Sequence, residues 1–303
     1  MKHRVLLTGS NGLLGQKIVN ILAGRANVDL LATSRGVNRY PERGGYLYEE
    51  VDLLDFDLLL NVFKHFKPTV LIHTAAMTKV DLCETHQQEC DRINIAAVRN
   101  LAEMCKAHGT HLVHLSTDFV FDGKEGPYQE TDAPNPLSHY GRSKWEAEKV
   151  VQEIGGSWSI LRTMLLYGVT PSMSRSNIVL WVKQSLEAEK PIKVVEDQFR
   201  CPTLAEDLAS ATVSAAMRQA KGIYHISGPE MMSILEMAYK IADFWKLDTQ
   251  LISPTDSLSL NQAAKRPPKT GFIILKAQTE LDYRPHSLVQ GLAMVDQQLR
   301  QLS

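Results

Sequence analysis

The chain has 303 residues, a formal net charge of −1, and 44% apolar and 22% charged residues. That length allows one large α/β domain or a cofactor domain with a smaller lobe, and the near-zero charge gives no field to gather nucleic acid or an anionic membrane surface. No run approaches the roughly 18 apolar residues of a membrane span, and the apolar start at Val5, Leu6 and Leu7 is too short for a secretory segment, so a cytoplasmic protein is expected.

From the N-terminus, short apolar runs at 4–8, 29–34, 46–51, 70–74, 111–116 and 159–162 alternate with longer helical patterns. This alternation predicts an α/β fold of the Rossmann type, a doubly wound parallel sheet with strands buried on both faces. Beyond Arg162 the pattern loosens into helices at 176–189, 204–219 and 232–245, short strands at 192–195 and 223–226, and a Pro-rich basic loop at 265–271. We expect a dinucleotide-binding domain over 1–165, with elements from about 176–226 returning to it, and a smaller, mainly substrate-binding lobe over 166–303.

The first strand runs directly into Thr8-Gly9-Ser10-Asn11-Gly12-Leu13-Leu14-Gly15, which opens a helix. Glycines permit a tight turn and close backbone approach to a pyrophosphate, and the helix N-terminus supplies free N–H groups. Gly9, Asn11, Gly12, Leu13, Leu14 and Gly15 are therefore candidate cofactor residues, although their G-x-x-G-x-x-G spacing differs from the commoner G-x-G-x-x-G.

The second strand ends at Thr33-Ser34-Arg35 with no carboxylate to hold adenosine ribose hydroxyls. Ser34 can donate a hydrogen bond and Arg35 offers a fork to a 2′-phosphate, so NADP(H) is preferred, with NAD(H) as the other option. Asp52 and Leu53, closing the third strand, are expected at the adenine edge.

Tyr140 and Lys144 lie four residues apart at the start of a helical stretch, on one face. A lone phenol is a poor proton shuttle at neutral pH, and an ammonium about 4 Å away at an effective dielectric near 20 contributes about 4 kcal/mol toward the phenolate before desolvation opposes it. A second donor to the same substrate oxygen is expected from Thr117, in Ser116-Thr117-Asp118 at the end of a buried strand. Thr117, Tyr140 and Lys144 are thus the candidate catalytic set, Lys144 also holding the nicotinamide ribose.

Cys83, Cys90, Cys105 and Cys201 form no C-x-x-C pair and read as reduced thiols. Cys83, His86 and Cys90 lack the spacing of a metal knuckle, so no metal site is expected.

With these residues in hand, the chain resembles the extended short-chain dehydrogenase/reductases, most closely the dTDP-4-dehydrorhamnose reductase family, over nearly its whole length. The likeness rests on the Gly9 to Gly15 loop, on His73-Thr74-Ala75-Ala76-Met77-Thr78-Lys79-Val80-Asp81 with Glu84, on segment 116–123, and on Tyr140-Gly141-Arg142-Ser143-Lys144. Asp197-Gln198, Pro202-Thr203 with Asp207, and Arg266-Pro267 also match. The resemblance implies reduction of a nucleotide-linked 4-keto-6-deoxy sugar, with Tyr140 as proton donor, Thr117 and Asp118 contacting the sugar, and Ala75, Ala76 and Met77 lining the cofactor. Asn94, in a helix start that looks like the family's, is assigned either a structural or proton-relay role near the site or helix packing. Met164-Leu165-Leu166 stand where the family often has Ser-Trp-Val, and Phe199-Arg200-Cys201 adds bulk and a cation, Arg200, where the substrate lobe meets the cleft. The alternatives are a reductase of another carbonyl compound, or a non-catalytic regulatory subunit like the β subunit of methionine adenosyltransferase, a relative of this family. A homodimer is left open.

Overall fold

The computed structural model describes residues 2–42, 44–173 and 176–302. The first half reads β1 (His3–Thr8), α1 (Leu13–Leu22), β2 (Val28–Ser34), β3 (Leu47–Glu50), α2 (Phe56–Phe66), β4 (Val70–His73), α3 (Val80–Thr85), α4 (Gln87–Asp91), a π-helical turn (Arg92–Ala96), α5 (Ala97–His108), β5 (His111–Thr117), a 3-10 turn (Asp118–Val120), α6 (His139–Ile154) and β6 (Trp158–Thr163). The second reads β7 (Leu166–Tyr167), α7 (Ile178–Glu187), β8 (Ile192–Val195), β9 (Phe199–Arg200), β10 (Thr203–Leu204), α8 (Ala205–Arg218), β11 (Gly222–Ile226), β12 (Met232–Ser233), α9 (Ile234–Trp245), a 3-10 turn (Thr249–Leu251), β13 (Ile252–Thr255), α10 (Leu275–Glu280) and α11 (Leu288–Leu302).

Seven strands form one parallel sheet in the order β11-β6-β5-β4-β1-β2-β3, a Rossmann-type doubly wound fold. Leu7 of β1 stands beside Ala32 on one side and Ile72 on the other. The strand order reverses at β1, so the crevice beyond the carboxyl ends of β1 and β4 is where an open α/β sheet takes its ligand. One face of the sheet is covered by α1 and α8, through Ile18, Val19, Leu22, Leu208 and Ala215, and the other by α2, α5 and α6. β3 departs from the expectation of strands buried on both faces: Leu47, Glu49 and Glu50 are exposed. It is the edge strand, with a neighbour on one side only.

Of the later elements, α8 packs on the cofactor face and β11 extends the sheet next to β6, whereas α7, α9, α11, β8 and β13 build a separate core from Val179, Val182, Met237, Ile241, Ile252 and Leu292. The central strands also carry a buried ion pair. Arg162 on β6 donates from Nη2 to Glu148 Oε2 of α6 at 2.7 Å, Nε lies 3.0 Å from Oε1, and the Ser116 hydroxyl of β5 donates to the same carboxylate at 2.5 Å. Both charged side chains are at most 1% exposed.

Candidate active site

A cleft of about 1010 Å³ runs over the carboxyl ends of the strands, from the Gly9 loop past Thr74 to Thr117, Tyr140 and Lys144. At its floor Gly9 takes φ +77°, and an added Cβ would meet Ala75 N at 2.7 Å. At Gly15 it would meet Gly9 O at 2.3 Å. These two glycines let β4's exit and α1 close onto the loop, while a Cβ at Gly12 would meet only Gly9 O, at 3.3 Å, a tight approach that a shift of a few tenths of an ångström would relieve. The first turn of α1 has no acidic residue and no side-chain cap, so its N–H groups face the cleft ready for an anion. The residues therefore fit a pyrophosphate. Leu13 and Leu14 line the same wall, whereas the Asn11 amide is turned to the 35–39 segment: Nδ2 donates to Val37 O at 3.0 Å and Oδ1 accepts from Arg39 N at 2.8 Å.

Ser34 and Arg35 line the cleft at the tip of β2, joined by Arg39, which sequence reasoning missed. Both arginines are exposed. The signal for Arg39 was a second cation four positions past the first, meaningful only once the loop folds back through Asn11. Asp52 and Leu53 line the neighbouring wall, and Asp52 Oδ1 accepts from Leu54 N at 3.0 Å in the turn that opens α2.

α6 is capped by Ser138, whose hydroxyl accepts from Gly141 N at 3.1 Å. Gly141 lies so close to the 3-10 turn that an added Cβ would stand 2.2 Å from Phe119 O, and this approach brings Tyr140 to the end of β5. Tyr140 is buried, edge-on to Phe119, and the nearby Thr117 hydroxyl favours its phenolate. Lys144 follows one turn later with Nζ 2.7 Å from Leu115 O. The electrostatics correct the expectation above. Burial, with Asp118 and two thiols nearby, drives the phenol well above its ordinary range, and burial draws the Lys144 ammonium down to about 8. Desolvation dominates both shifts: phenol and ammonium are each buried, and Glu148 and Cys90 offset only part of what the ammonium loses with its water.

Asp118 lines the cleft but is committed beneath it: Thr270 donates to Oδ2 at 2.6 Å, Thr117 to Oδ1 at 3.2 Å, and Arg200 Nε lies 3.2 Å from Oδ2. Burial pushes its carboxyl upward against the pull of Arg200. Arg200 is not among the cleft-lining residues; buried, it donates to Phe199 O at 2.8 Å and Pro267 O at 2.7 Å. It thus faces Asp118 and the 267–268 backbone instead of the open cleft.

Ala75, Ala76 and Met77 line the cleft as expected from the resemblance. Asn94 explains their position: its amide accepts from Met77 N at 2.9 Å and donates to Met77 O at 3.1 Å, bracing that segment from the π-helical turn. It lies inside a continuous helical stretch, not at a helix start. Cys83 and Cys90 are buried beside Tyr140, while His86 is exposed and bonded to Thr85. Among the described residues the group with metal-ligand reach is Cys90, Asp91 and His139, where His139 Nε2 and Asp91 Oδ1 already pair at 2.8 Å. The opposite wall comes from Leu165 and Leu166, in the segment that departs from the family's Ser-Trp-Val, and from Thr163, Thr170, Met173 and Asn177, which no motif marked.

A glycine turn at the switch point of a parallel sheet, facing a tyrosine one helical turn from a buried lysine, defines an extended short-chain dehydrogenase/reductase. Within that class the chain belongs to the RmlD substrate binding domain family, which matches residues 2–300. It is 30% identical over 301 residues to the dTDP-4-dehydrorhamnose reductase of Aggregatibacter actinomycetemcomitans, covering 95% of this chain and 97% of that protein. It is 34% identical over 261 residues to the methionine adenosyltransferase 2 subunit beta of Bos taurus, covering 84% and 76%. The crystal structure of the Bacillus anthracis dTDP-4-dehydrorhamnose reductase in complex with NADP superposes with a TM-score of 0.84 at 29% identity, covering 98% of this chain and 100% of that one.

Proposed function

We propose that this chain is an NADP(H)-dependent oxidoreductase that reduces a nucleotide-linked 4-keto-6-deoxy sugar, in the manner of dTDP-4-dehydrorhamnose reductase. The observation that carries the reading is one continuous cleft joining the α1 N-terminus to the Thr117, Tyr140 and Lys144 side chains. The similarity to two dTDP-4-dehydrorhamnose reductases, one crystallised with NADP, supports it.

In this reading Gly9, Gly12 and Gly15 bring backbone N–H groups to the pyrophosphate, with Asn11, Leu13 and Leu14 shaping the loop. Ser34, Arg35 and Arg39 hold the 2′-phosphate, Asp52 and Leu53 meet the adenine, and Ala75, Ala76 and Met77 line the path to the nicotinamide. The reduced nicotinamide, when bound, supplies the hydride. Thr117 and Tyr140 both bond the substrate carbonyl oxygen; Tyr140 gives it the phenolic proton, and Lys144 holds the nicotinamide ribose while its charge supports the phenolate left behind. Asp118, steadied by Arg200, holds the Thr117 hydroxyl in place and borders the sugar; the single Thr117 proton turns from Asp118 Oδ1 to the carbonyl oxygen when substrate binds. Residues 1–165 with α8 and β11 form the cofactor unit and the separate core around α7, α9 and α11 the substrate lobe. Among the described residues no helix is long and apolar enough to cross a membrane, and we place the activity in the cytoplasm.

Replacing Arg35 and Arg39 together by alanine is expected to raise KM for NADPH by roughly 100-fold, the loss of two charge-assisted contacts. KM for NADH should hardly move. Equal losses with both cofactors would remove the 2′-phosphate assignment.

The similarity to the methionine adenosyltransferase subunit supports a second reading, in which the scaffold binds a partner protein and turnover is absent. NADPH oxidation with dTDP-4-dehydro-L-rhamnose generated in situ separates the two. Turnover establishes the reductase, whereas tight NADPH binding without turnover, together with a stoichiometric complex with a methionine adenosyltransferase catalytic subunit, establishes the other.

A further inference from the structure

We propose that His114 is a positioning residue for Lys144, a neutral acceptor that holds the ammonium against β5 and sustains its charge; this rests on the role given to Lys144 above. Lys144 Nζ lies 3.2 Å from His114 Nε2 and 2.7 Å from Leu115 O. An ammonium has three donors, so two are taken by consecutive residues of β5 and one remains for the cleft that Lys144 lines.

The imidazole is fully buried, between Val113 and Leu115 in the middle of the sheet. Two other buried histidines of this sheet, on β5 and β11, have partners on both ring nitrogens. His111 meets Ser157 and Ser159, and His225 meets Tyr128 O and Arg162. The stacked pair His73 and His114 each leave one ring nitrogen without a hydrogen-bond partner among the described residues, Nε2 in His73 and Nδ1 in His114, and of the two His114 has its other nitrogen on the ammonium. To accept from an ammonium, Nε2 must be bare, which leaves the proton on that unpartnered Nδ1. A buried unpaired donor is destabilising, and an apolar residue here would be free of that penalty. The imidazole therefore stands in this layer for what its Nε2 does. Behind it His73 stacks at 5.5 Å between centroids and anchors through Nδ1 to the Thr8 hydroxyl at 2.7 Å, backing the ring toward Lys144.

A neutral acceptor differs from a carboxylate in kind. It fixes the amine in place without locking the charge. The groups around Lys144 are Glu148 one turn along α6, Cys90 from α4, His114 and His73 from the sheet, and Tyr140 with Asp118 on the cleft side. Burial and the Lys144 charge hold both imidazoles neutral, His73 down at about 3. Their titration is thus remote from the region in which the amine, brought to about 8, changes charge.

The test is the titration of the Lys144 amine itself, followed by NMR of lysine-labelled full-length protein, with Lys144→Met providing the assignment. Removing an acceptor that favours the charged form lowers the midpoint. His114→Leu should shift it down by about one pH unit, and His114→Gln, which retains an acceptor oxygen, should restore most of that shift. His114→Met supplies the same comparison should the leucine variant not fold. An unmoved midpoint in the apolar variants, or a glutamine variant that behaves like leucine, overturns the proposal. The alkaline limb of kcat should follow the NMR midpoint. Absence of turnover in the wild type would remove the reductase reading, while the titration would still decide the coupling of His114 to Lys144.

Discussion

Tyr140→Phe is expected to lower kcat by roughly 10²–10⁴-fold, the range for loss of a positioned general acid. NADPH affinity should stay within about fivefold, the worth of one neutral hydrogen bond. The ring would remain edge-on to Phe119 and α6 would keep its Ser138 cap, so the variant removes one hydroxyl and little packing. The phenol's environment strengthens the expectation. Burial keeps the hydroxyl protonated well into the alkaline range, which suits a group that must carry a proton to the carbonyl and not one that takes a proton away. In the proposed mechanism the Lys144 charge supports the phenolate left behind, and that charge is lost as pH rises through about 8. Turnover should accordingly fall on the alkaline side with a midpoint near that value. A Tyr140→Phe enzyme retaining more than about a tenth of wild-type kcat would exclude the phenol as the acid.

Glu148→Ala is expected to destabilise the fold by about 3–5 kcal/mol, because it leaves a buried guanidinium without its counter-charge. Arg162 would retain a 3.4 Å contact from Nη1 to His225 and the face of the Phe121 ring 5.1 Å away, and neither replaces a carboxylate. Ser116 would lose its acceptor in the same step. The measurement is urea unfolding, where the midpoint should drop with an unchanged slope. Glu148→Leu combined with Arg162→Met should recover much of the loss, since the cost arises from the orphaned charge more than from the missing attraction. A single variant as stable as the parent would mean that water reaches Arg162. Glu148 also supports the Lys144 ammonium, so the alanine variant should show an earlier alkaline decline in turnover.

The strands of the cofactor half were legible in the sequence because each is a short apolar run followed by a turn, and the predicted bounds fall within a residue or two of β1, β2, β4, β5 and β6. β3 was misread as fully buried, since alternation alone does not reveal which strand lies at an edge. Gly9, Gly15, Tyr140 and Lys144 were found because their spacing reflects local geometry, a turn or one helical repeat. Arg39 and the far-wall residues Thr163, Thr170, Met173 and Asn177 were not, because their place in the cleft depends on contacts between distant segments. Arg200 shows the same limit: a new cation beside the cleft drew attention, yet its burial against Asp118 and the Pro267 carbonyl appears only in three dimensions. Charge interactions were hardest, because the Tyr140 and Lys144 spacing gives a distance but not the depth of water around it.

The floor of the site is stitched from both ends of the chain: Thr270 and Arg200 hold Asp118, and Arg266 pairs with Asp81 at 2.7 Å. For anyone recombining this family, residue 165 is thus a poor crossover point. A hybrid joined there would inherit Asp81 and Asp118 from one parent and their partners from the other, so both would need to keep those pairings for the hybrid to arrive with a working centre. Under the proposed function, an exchange of substrate preference between relatives would be better served by moving only the wall residues Thr163, Leu165, Leu166, Thr170, Met173 and Asn177, which leaves every one of these long-range ties within a single parent.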